Sequence, residues 1–334
     1  IDPKNSLPRV IKLFFVIFFI FEIKRLIQKY EGNLTKYVYK SWFIIFLIIS
    51  TDILFEIIFG HNMIGNESIM PGRIASFFGD ELVVGAFYHG FILFFLSFLI
   101  LKKTKNYILI FSILFVVLIS FLIGERSNFI KLFLSVIIFT SYVLNINYKI
   151  KLTIFLAIPL ILLVIANSSD SYKKRYHGEI KTLFTINGYE KYMKKSQHGA
   201  HRYTSMEILK DNPIFGVGIK NFRFESANTK YENREYVKTD LRQANHPHQI
   251  HHEFLSETGI FGYICFLIFI LSSIYFGFKS YLKSQNLYQL SAIIFIFTSV
   301  LPIIPSGSFL SSFTSGIFWL NFGVMVSLIK IKLT

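Results

Sequence analysis

Nine apolar runs, each about as long as a membrane-crossing helix, most constrain what this 334-residue chain can fold into. A helix needs about 20 predominantly apolar residues to cross the hydrocarbon core of a bilayer. The runs cover residues 8–24, 41–60, 82–101, 107–123, 128–146, 152–167, 254–278, 288–304 and 313–329. Since lipid leaves no partner for unpaired backbone groups, the runs predict an all-α, polytopic membrane helix bundle of about nine spans.

The composition agrees with this class of protein. Hydrophobic residues make up 53% of the chain, aromatic residues 18%, and the mean hydropathy is +0.50, which excludes an ordinary soluble domain. The single cysteine, Cys265, excludes a disulfide or a thiolate metal site within the chain. The start, IDPKNSLPR, lacks the layout of a secretory signal peptide, and we expect further sequence to precede Ile1.

Lysine and arginine in the short loops predict the orientation of the bundle. The segments 24–40, 102–106, 147–151, 278–283 and 330–334 are rich in these residues. The alternate loops are 61–81, 124–127 and 305–312. Their only lysine or arginine residues are Arg73 and Arg126. Because basic short loops stay in the cytoplasm, the Lys-rich loops are predicted to be cytoplasmic and the others to lie outside.

A long polar segment divides the chain into three parts. Residues 1–167 hold six predicted spans, 168–253 form one large outer loop that is partly helical, and 254–334 hold three more spans. Within the loop, HGAHRYTSMEILKDNP (198–213) predicts a short helix that stops at Asp211-Asn212-Pro213. FGVGIKNF (215–222) predicts a glycine-containing turn rather than a nucleotide site, because the third glycine of G-x-G-x-x-G is absent.

Four histidines, at positions 246, 248, 251 and 252, are concentrated at the end of this loop in NHPHQIHHE. If a helix begins at His248, then His248 and His252 lie one turn apart on one face. Three interpretations stay open: a polar cap at the membrane interface, a general base, and a metal site that adds Glu253.

Charged residues on the predicted outer side form a second group of candidates. A guanidinium binds phosphate groups bidentately, which makes Arg73, Arg126 and Arg202 candidates for an anionic ligand. For any one of them a surface anchor, or a local ion pair between Glu125 and Arg126, explains the residue equally well.

Two acidic residues, Asp52 and Glu56, lie four residues apart inside the second apolar run. Ionisable residues within a span are functional candidates by default. We expect Glu56 to pair with Arg73 or Arg126, whereas the sequence suggests no partner for Asp52. A transporter or flippase with a proton relay through these two carboxyls is therefore one alternative.

Two segments of the chain resemble sequences of a known protein family. RYTSMEILKDNPIFGVGIKNF (202–222) and HPHQIHHEFLSETGIFG (246–262) are similar to the signature loop of the O-antigen ligase and polymerase family. These proteins are glycosyltransferases of the bacterial inner membrane that use undecaprenyl-pyrophosphate-linked glycans. GRIASFFGDELVVGAF (72–87), GERSNF (124–129) and PSGSF (305–309) resemble other recurring segments of the family.

The resemblance implies a periplasmic active site that works without a metal or other cofactor. By position in the motifs, it implies Arg126, Arg202 and His248 as the catalytic residues. Further substrate contacts are expected from Arg73, His246, His252 and Glu257. The family pattern H-N-x-Y-L-Q reads H-Q-I-H-H-E here, which keeps the first histidine and leaves the role of the additional histidines open.

The expected partners are a lipid-linked glycan donor, a glycan or lipid A–core acceptor and the lipid bilayer, with no nucleic acid. A ligase that transfers the glycan to lipid A–core or a similar acceptor is the first hypothesis. A polymerase that extends a lipid-linked glycan is the alternative, because the shared motifs concern the donor. A zinc enzyme built on the histidines is a further alternative.

Overall fold

The computed structural model describes residues 3–30, 35–144, 185–310 and 312–329, together with positions 167, 170 and 173. In these ranges all regular structure is helical and no strand occurs, which confirms the all-α prediction. The α-helices are α1 (Pro3–Lys29), α2 (Lys40–Phe59), α3 (Val84–Leu101), α4 (Asn106–Leu122), α5 (Arg126–Val143), α6 (Gly188–Lys195), α7 (Gln197–Asp211), α8 (Phe222–Glu225), α9 (Ile250–Ser284), α10 (Leu287–Ser299) and α11 (Ser312–Ser327).

Each predicted span that the structure describes contains a helix, although residues 300–304 of the run 288–304 are not helical. The run 152–167 lies outside the described residues apart from position 167, as do the segments 147–151 and 330–334, residues 31–34 of the segment 24–40 and residues 145–146 of the run 128–146. The helical segments long and apolar enough to cross a membrane are Tyr37–Phe59, Val84–Leu101, Arg126–Val143 and Ile250–Ser284. Shorter apolar helices accompany them, so the chain is a helical membrane protein, and the number nine stays a prediction.

Large apolar side chains on the outside of the bundle support a lipid environment. On α1, Phe14 is 60% and Phe18 66% exposed, and on α9, Ile268 is 63% and Leu271 62% exposed. Soluble proteins rarely expose such continuous apolar surface, whereas lipid tails cover it at no cost.

The loops of the bundle lie at two opposite ends. At one end, Tyr39 stacks on Tyr288 with ring centroids 3.5 Å apart, and Ser97 donates to the carbonyl of Leu287. This end carries the Lys-rich connection 101–105 and the turn 284–287, which follows the Lys-rich segment 278–283, and we call it the lysine end. The other end, called the site end, carries residues 60–83, 123–125, 196–249 and 300–310. The two sets of loops thus segregate as the charge alternation predicts.

Contacts between its loops hold the site end together. The amide of Ile74 donates to the carbonyl of Ile123, and the rings of Phe78 and Phe313 lie 5.4 Å apart. The amide of Ser306 donates to the carbonyl of His248 at 2.9 Å.

The two carboxylates of α2 organise the loop that follows this helix. Asp52 accepts hydrogen bonds from the amide of Met63 (2.7 Å) and the hydroxyl of Ser76 (2.6 Å). Glu56 accepts from the amides of Ala75 (3.0 Å) and Ser76 (2.6 Å). Both side chains are buried, and hydrogen bonds from the loop occupy their oxygens.

The prediction that Glu56 forms an ion pair with Arg73 or Arg126 is wrong within the described residues. Backbone amides of the loop already donate hydrogen bonds to both carboxylate oxygens of Glu56. Arg73 instead forms an ion pair with Glu125 at 3.1 Å. The proton-relay alternative loses its main support, since both carboxylates have a structural task.

A buried polar cluster joins three helices in the middle of the bundle. Nε2 of His89 on α3 lies 2.9 Å from the hydroxyl of Thr298 on α10, and Ser135 on α5 contacts the same hydroxyl at 2.9 Å. Hydrogen bonds between helices contribute to packing where the hydrophobic effect is absent. The cluster therefore fixes the helices that carry the site end.

Helix α9 is broken at Gly259, where φ is 66° and ψ is −170°. The break leaves backbone amides and carbonyls without partners inside the helix, and the segment after α7 forms hydrogen bonds with them. The amide of Ile260 donates to the carbonyl of Pro213 (2.8 Å), and the amide of Gly218 donates to the carbonyl of Glu257 (2.8 Å). The predicted glycine-containing turn is therefore docked on the break of a membrane helix.

We predict that Gly259→Ala destabilises the protein. A Cβ at this position would lie 2.3 Å from the carbonyl oxygen of Ile214, and the positive φ adds strain of about 1–3 kcal/mol. The expected result is an unfolding temperature lowered by several degrees in detergent, measured by fluorescence-detected size exclusion after heating. Gly316→Ala is the matched control, because no atom lies within 4 Å of its added Cβ. Equal unfolding temperatures for the two variants would contradict the role of the break.

Candidate active site

Helix α7 presents a row of basic side chains at the site end. It begins after Ser196, whose hydroxyl accepts from the amide of Gly199 at 3.1 Å, and it ends at Asp211 as the sequence predicts. His198, His201 and Arg202 follow one another at i, i+3 and i+4, which places them on one face.

His248 lies outside helix α9, in a left-handed turn with φ of 53°. The helix begins at Ile250 because Gln249 is extended and its side-chain oxygen accepts from the amides of His251 and His252. The prediction that His248 and His252 share one helix face is therefore wrong. The turn directs the imidazole of His248 towards α7 instead.

Four histidines come together as the histidine cluster, which consists of His198, His201, His246 and His248. The ring of His248 lies 4.2 Å from that of His246, 5.1 Å from that of His201 and 5.8 Å from that of His198, measured between centroids. Sequence reasoning missed His198 and His201, although the spacing H-x-x-H-R on a predicted helix carries the signal.

Three imidazoles of this cluster, those of His201, His246 and His248, are neutral at pH 7. Burial, followed by the charges of neighbouring imidazoles, lowers the pKa of His248 to about 4. Burial likewise lowers the pKa of His201 to about 4 and that of His246 to about 3. In the part of the chain that the structure describes, no group of three or more His, Cys, Asp or Glu side chains is arranged to hold a metal ion. A neutral imidazole accepts a proton, which is the chemistry of a general base.

Arg202 is exposed on α7, beside the histidine cluster. Its guanidinium donates to the hydroxyl of Tyr189 and lies over the ring of that tyrosine, 5.8 Å from the centroid. It is also close enough to His252 for an electrostatic interaction. Nδ1 of His252 is buried without a hydrogen-bond partner in the described ranges. The structure therefore brings Arg202, His248 and His252 to one region.

The other two predicted arginines lie near each other, across the loops of the site end. Arg126 is the first residue of α5 and is half-buried. Arg73 donates to the carbonyl of Leu82 at 2.7 Å and forms its ion pair with Glu125, the residue before Arg126. Glu125 also accepts from the amide of Gly85 at 3.0 Å. Arg73 is thus built into the wall of the site end, and a contact with substrate stays a prediction.

Glu257 belongs to a buried polar network beneath the site. Its carboxylate accepts from the amides of Lys220 (2.6 Å) and Phe222 (3.4 Å). The ammonium of Lys220 donates to the hydroxyl of Ser308 (2.7 Å) and lies 3.5 Å from the carboxylate of Glu253. The network connects the turn, α9 and the loop before α11, whereas a contact between Glu257 and substrate stays a prediction.

These features define a class of protein: a helical membrane protein with neutral histidines and arginines gathered where its loops meet one end of the bundle. A profile of the O-antigen ligase family matches residues 83–267, which is more than half of the chain. The chain belongs to the O-antigen ligase family, whose members are glycosyltransferase-like enzymes. No curated protein matches the chain.

The matched region contains most of the candidate residues. Arg126, Arg202, His246, His248 and Glu257 lie inside it, and Arg73 lies before its first residue. The resemblance predicted from the sequence is confirmed at the level of the family. The catalytic roles of the individual residues stay predictions.

We predict that Arg73→Ala destabilises the protein more than it affects substrate binding. The change leaves the buried carboxylate of Glu125 without its counter-ion, at a cost of about 3–5 kcal/mol. Thermal unfolding in detergent measures this loss, and Arg73→Ala/Glu125→Gln should recover part of it because the unpaired charge is removed. A stable Arg73→Ala protein with weakened donor binding would instead identify Arg73 as a substrate contact.

We predict that acid destabilises the protein through the histidine cluster. His248 and His201 have a pKa of about 4 when folded, below the usual value of about 6.5, so the fold favours their neutral forms. Their contribution to stability is complete above pH 6.5 and is lost as the pH falls towards 4. Relative to His201→Asn/His248→Asn, the wild type should lose up to about 6 kcal/mol between pH 7 and pH 4, about 3 kcal/mol for each imidazole. Parallel unfolding curves for the two proteins over this range would contradict the prediction.

Proposed function

We propose that the protein is an O-antigen ligase that transfers a glycan from undecaprenyl pyrophosphate to an acceptor hydroxyl, on lipid A–core or a similar glycolipid. The reaction takes place at the periplasmic face of the bacterial inner membrane, which the site end of the bundle faces. One observation carries the proposal: the neutral imidazole of His248 is held in a fixed turn beside the helix that bears Arg202.

His248 acts as the general base in this proposal. Its imidazole nitrogen accepts the proton of the acceptor hydroxyl while the oxygen forms a bond to the anomeric carbon of the donor sugar. The bond between that carbon and the pyrophosphate oxygen breaks, and its electron pair leaves with undecaprenyl pyrophosphate. An anionic donor beside the ring favours the imidazolium, so donor binding raises the pKa of His248 above its resting value of about 4.

Arg202 and Arg126 bind the pyrophosphate. Charge develops on the leaving group in the transition state, and fixed guanidinium groups stabilise it without a large reorganisation. Arg202 is exposed on α7, where it is accessible to a ligand, and Arg126 stands at the N-terminus of α5, where the helix dipole also favours an anion. This arrangement supplies charge stabilisation and a base from side chains alone.

We predict that His248→Ala lowers glycan transfer about 100-fold or more, because general-base catalysis contributes about 10²–10⁴-fold. Arg202→Ala should lower transfer about 10²–10³-fold, and Arg202→Lys should restore it only in part, since a lysine lacks the bidentate geometry. Transfer is measured with purified protein in liposomes and in a deletion strain that carries each variant. Arg234→Ala, an exposed arginine of the same loop, is the control and should transfer normally.

The same strains separate the ligase from the polymerase. Without the protein, a ligase leaves undecorated lipid A–core, whereas a polymerase leaves core decorated with a single repeat unit. Normal transfer by His248→Ala at wild-type protein level would remove His248 from the mechanism.

A further inference from the structure

An open cleft of about 390 Å³ lies on the loop region of the site end, and its lining includes none of the four clustered histidines. Arg223, Phe224, Gln243, Ala244 and Asn245 line it. We propose that this cleft binds the sugar rings of the acceptor glycan, next to the hydroxyl that reacts. The inference rests on the proposed function and adds the site that selects the acceptor.

The first argument is the surface that Phe224 offers. Its side chain is 52% exposed in a loop of mostly polar residues, so it is not needed for the core. The guanidinium of Arg223 lies over the ring, 4.7 Å from the centroid, which holds the two planar groups against each other. An aromatic ring fixed in this way presents a flat apolar surface, which matches the C–H face of a sugar ring.

The second argument is the set of hydrogen-bonding groups around that ring. Gln243 and Asn245 are exposed, and no described residue forms a hydrogen bond with either side-chain amide. Nε of Arg223 is buried and has no partner in the described part of the chain. Amide and guanidinium groups together supply the donors and acceptors that neighbouring sugar hydroxyls require. The lining contains one charged side chain, which suits a sugar better than a pyrophosphate.

The third argument is that the cleft is built before any ligand binds. Arg242 donates to the carbonyl of Thr239 (3.2 Å) on its own segment and to the carbonyl of Ala227 (3.3 Å) on the opposite wall. Phe222, the residue before Arg223, is fully buried, and its amide donates to Glu257 of α9. Both walls are therefore fixed to the framework of the site, which lowers the entropy cost of binding.

The fourth argument is the position of the cleft along the chain. Asn245 directly precedes His246, and three peptide units separate it from His248, a reach of at most about 10 Å. A glycan that occupies the cleft can therefore extend its terminal hydroxyl to His248. The donor pyrophosphate, in contrast, is assigned to the arginines of α7 and α5.

The test is a kinetic comparison with the full chain in nanodiscs, using a lipid-linked glycan donor and the acceptor glycolipid of the source strain. Phe224→Ala and Asn245→Ala should each raise the KM for the acceptor about tenfold, the effect of losing one good contact. The KM for the donor and kcat should stay unchanged. Val237→Ala, an exposed apolar residue of the same loop, should change neither constant. An unchanged acceptor KM, or an equal rise in the KM for the donor, would overturn the assignment.

A binding experiment separates this inference from the proposed function. The probe is the oligosaccharide released from the acceptor by mild acid, and saturation-transfer NMR detects its contact with the full chain. Signal from the sugar protons that is lost in Phe224→Ala supports the cleft even if wild-type protein transfers no glycan, an outcome that would refute only the ligase proposal. Undiminished signal in Phe224→Ala would refute the cleft even if transfer is normal.

Discussion

The docking of the glycine-containing turn on the broken helix α9 is the interaction on which the rest of the site depends. Backbone hydrogen bonds join residues 213–218 to the two sides of Gly259, and the carboxylate of Glu257 holds the next residues of the turn. The buried ion pair of Lys220 and Glu253 adds to this attachment, and hydrogen bonds from Lys220 to Ser308 and from the amide of Phe309 to Glu253 extend it to the loop before α11. A buried ion pair is costly to form, and its value here is to specify one arrangement of three segments.

This attachment also determines where the proposed catalytic residues lie. Helix α7 leads directly into the turn, so its orientation follows from the turn, and with it the positions of His201 and Arg202. His248 is bound from the other side, because its carbonyl accepts from Ser306. The proposed base, His248, and Arg202 therefore approach each other on segments attached to the same turn, and the proposed electrostatic catalysis requires such preorganisation.

Hydropathy and motif similarity predicted the helices and the family, but much of the site depends on contacts between distant segments. The apolar runs predicted α2, α3 and α4 to within a few residues, because period and length are local properties. The partners of Asp52 and Glu56 lie in a loop whose path the sequence does not reveal. The left-handed turn at His248 also escaped prediction, since non-glycine residues rarely adopt it and only tertiary contacts select it.

The position of the break in α9 also bears on how deeply this helix is inserted in the bilayer. Residues 260–284 extend about 37 Å at 1.5 Å per residue, which is sufficient to cross a hydrocarbon core of about 30 Å. The turn of helix before Gly259 therefore does not have to lie in the lipid tails and can stand in the headgroup layer. In the proposed reaction the pyrophosphate of the lipid-linked donor occupies that same layer, so the position of Gly259 along the helix matches the height of the proposed catalytic residues to the height of the donor's charge.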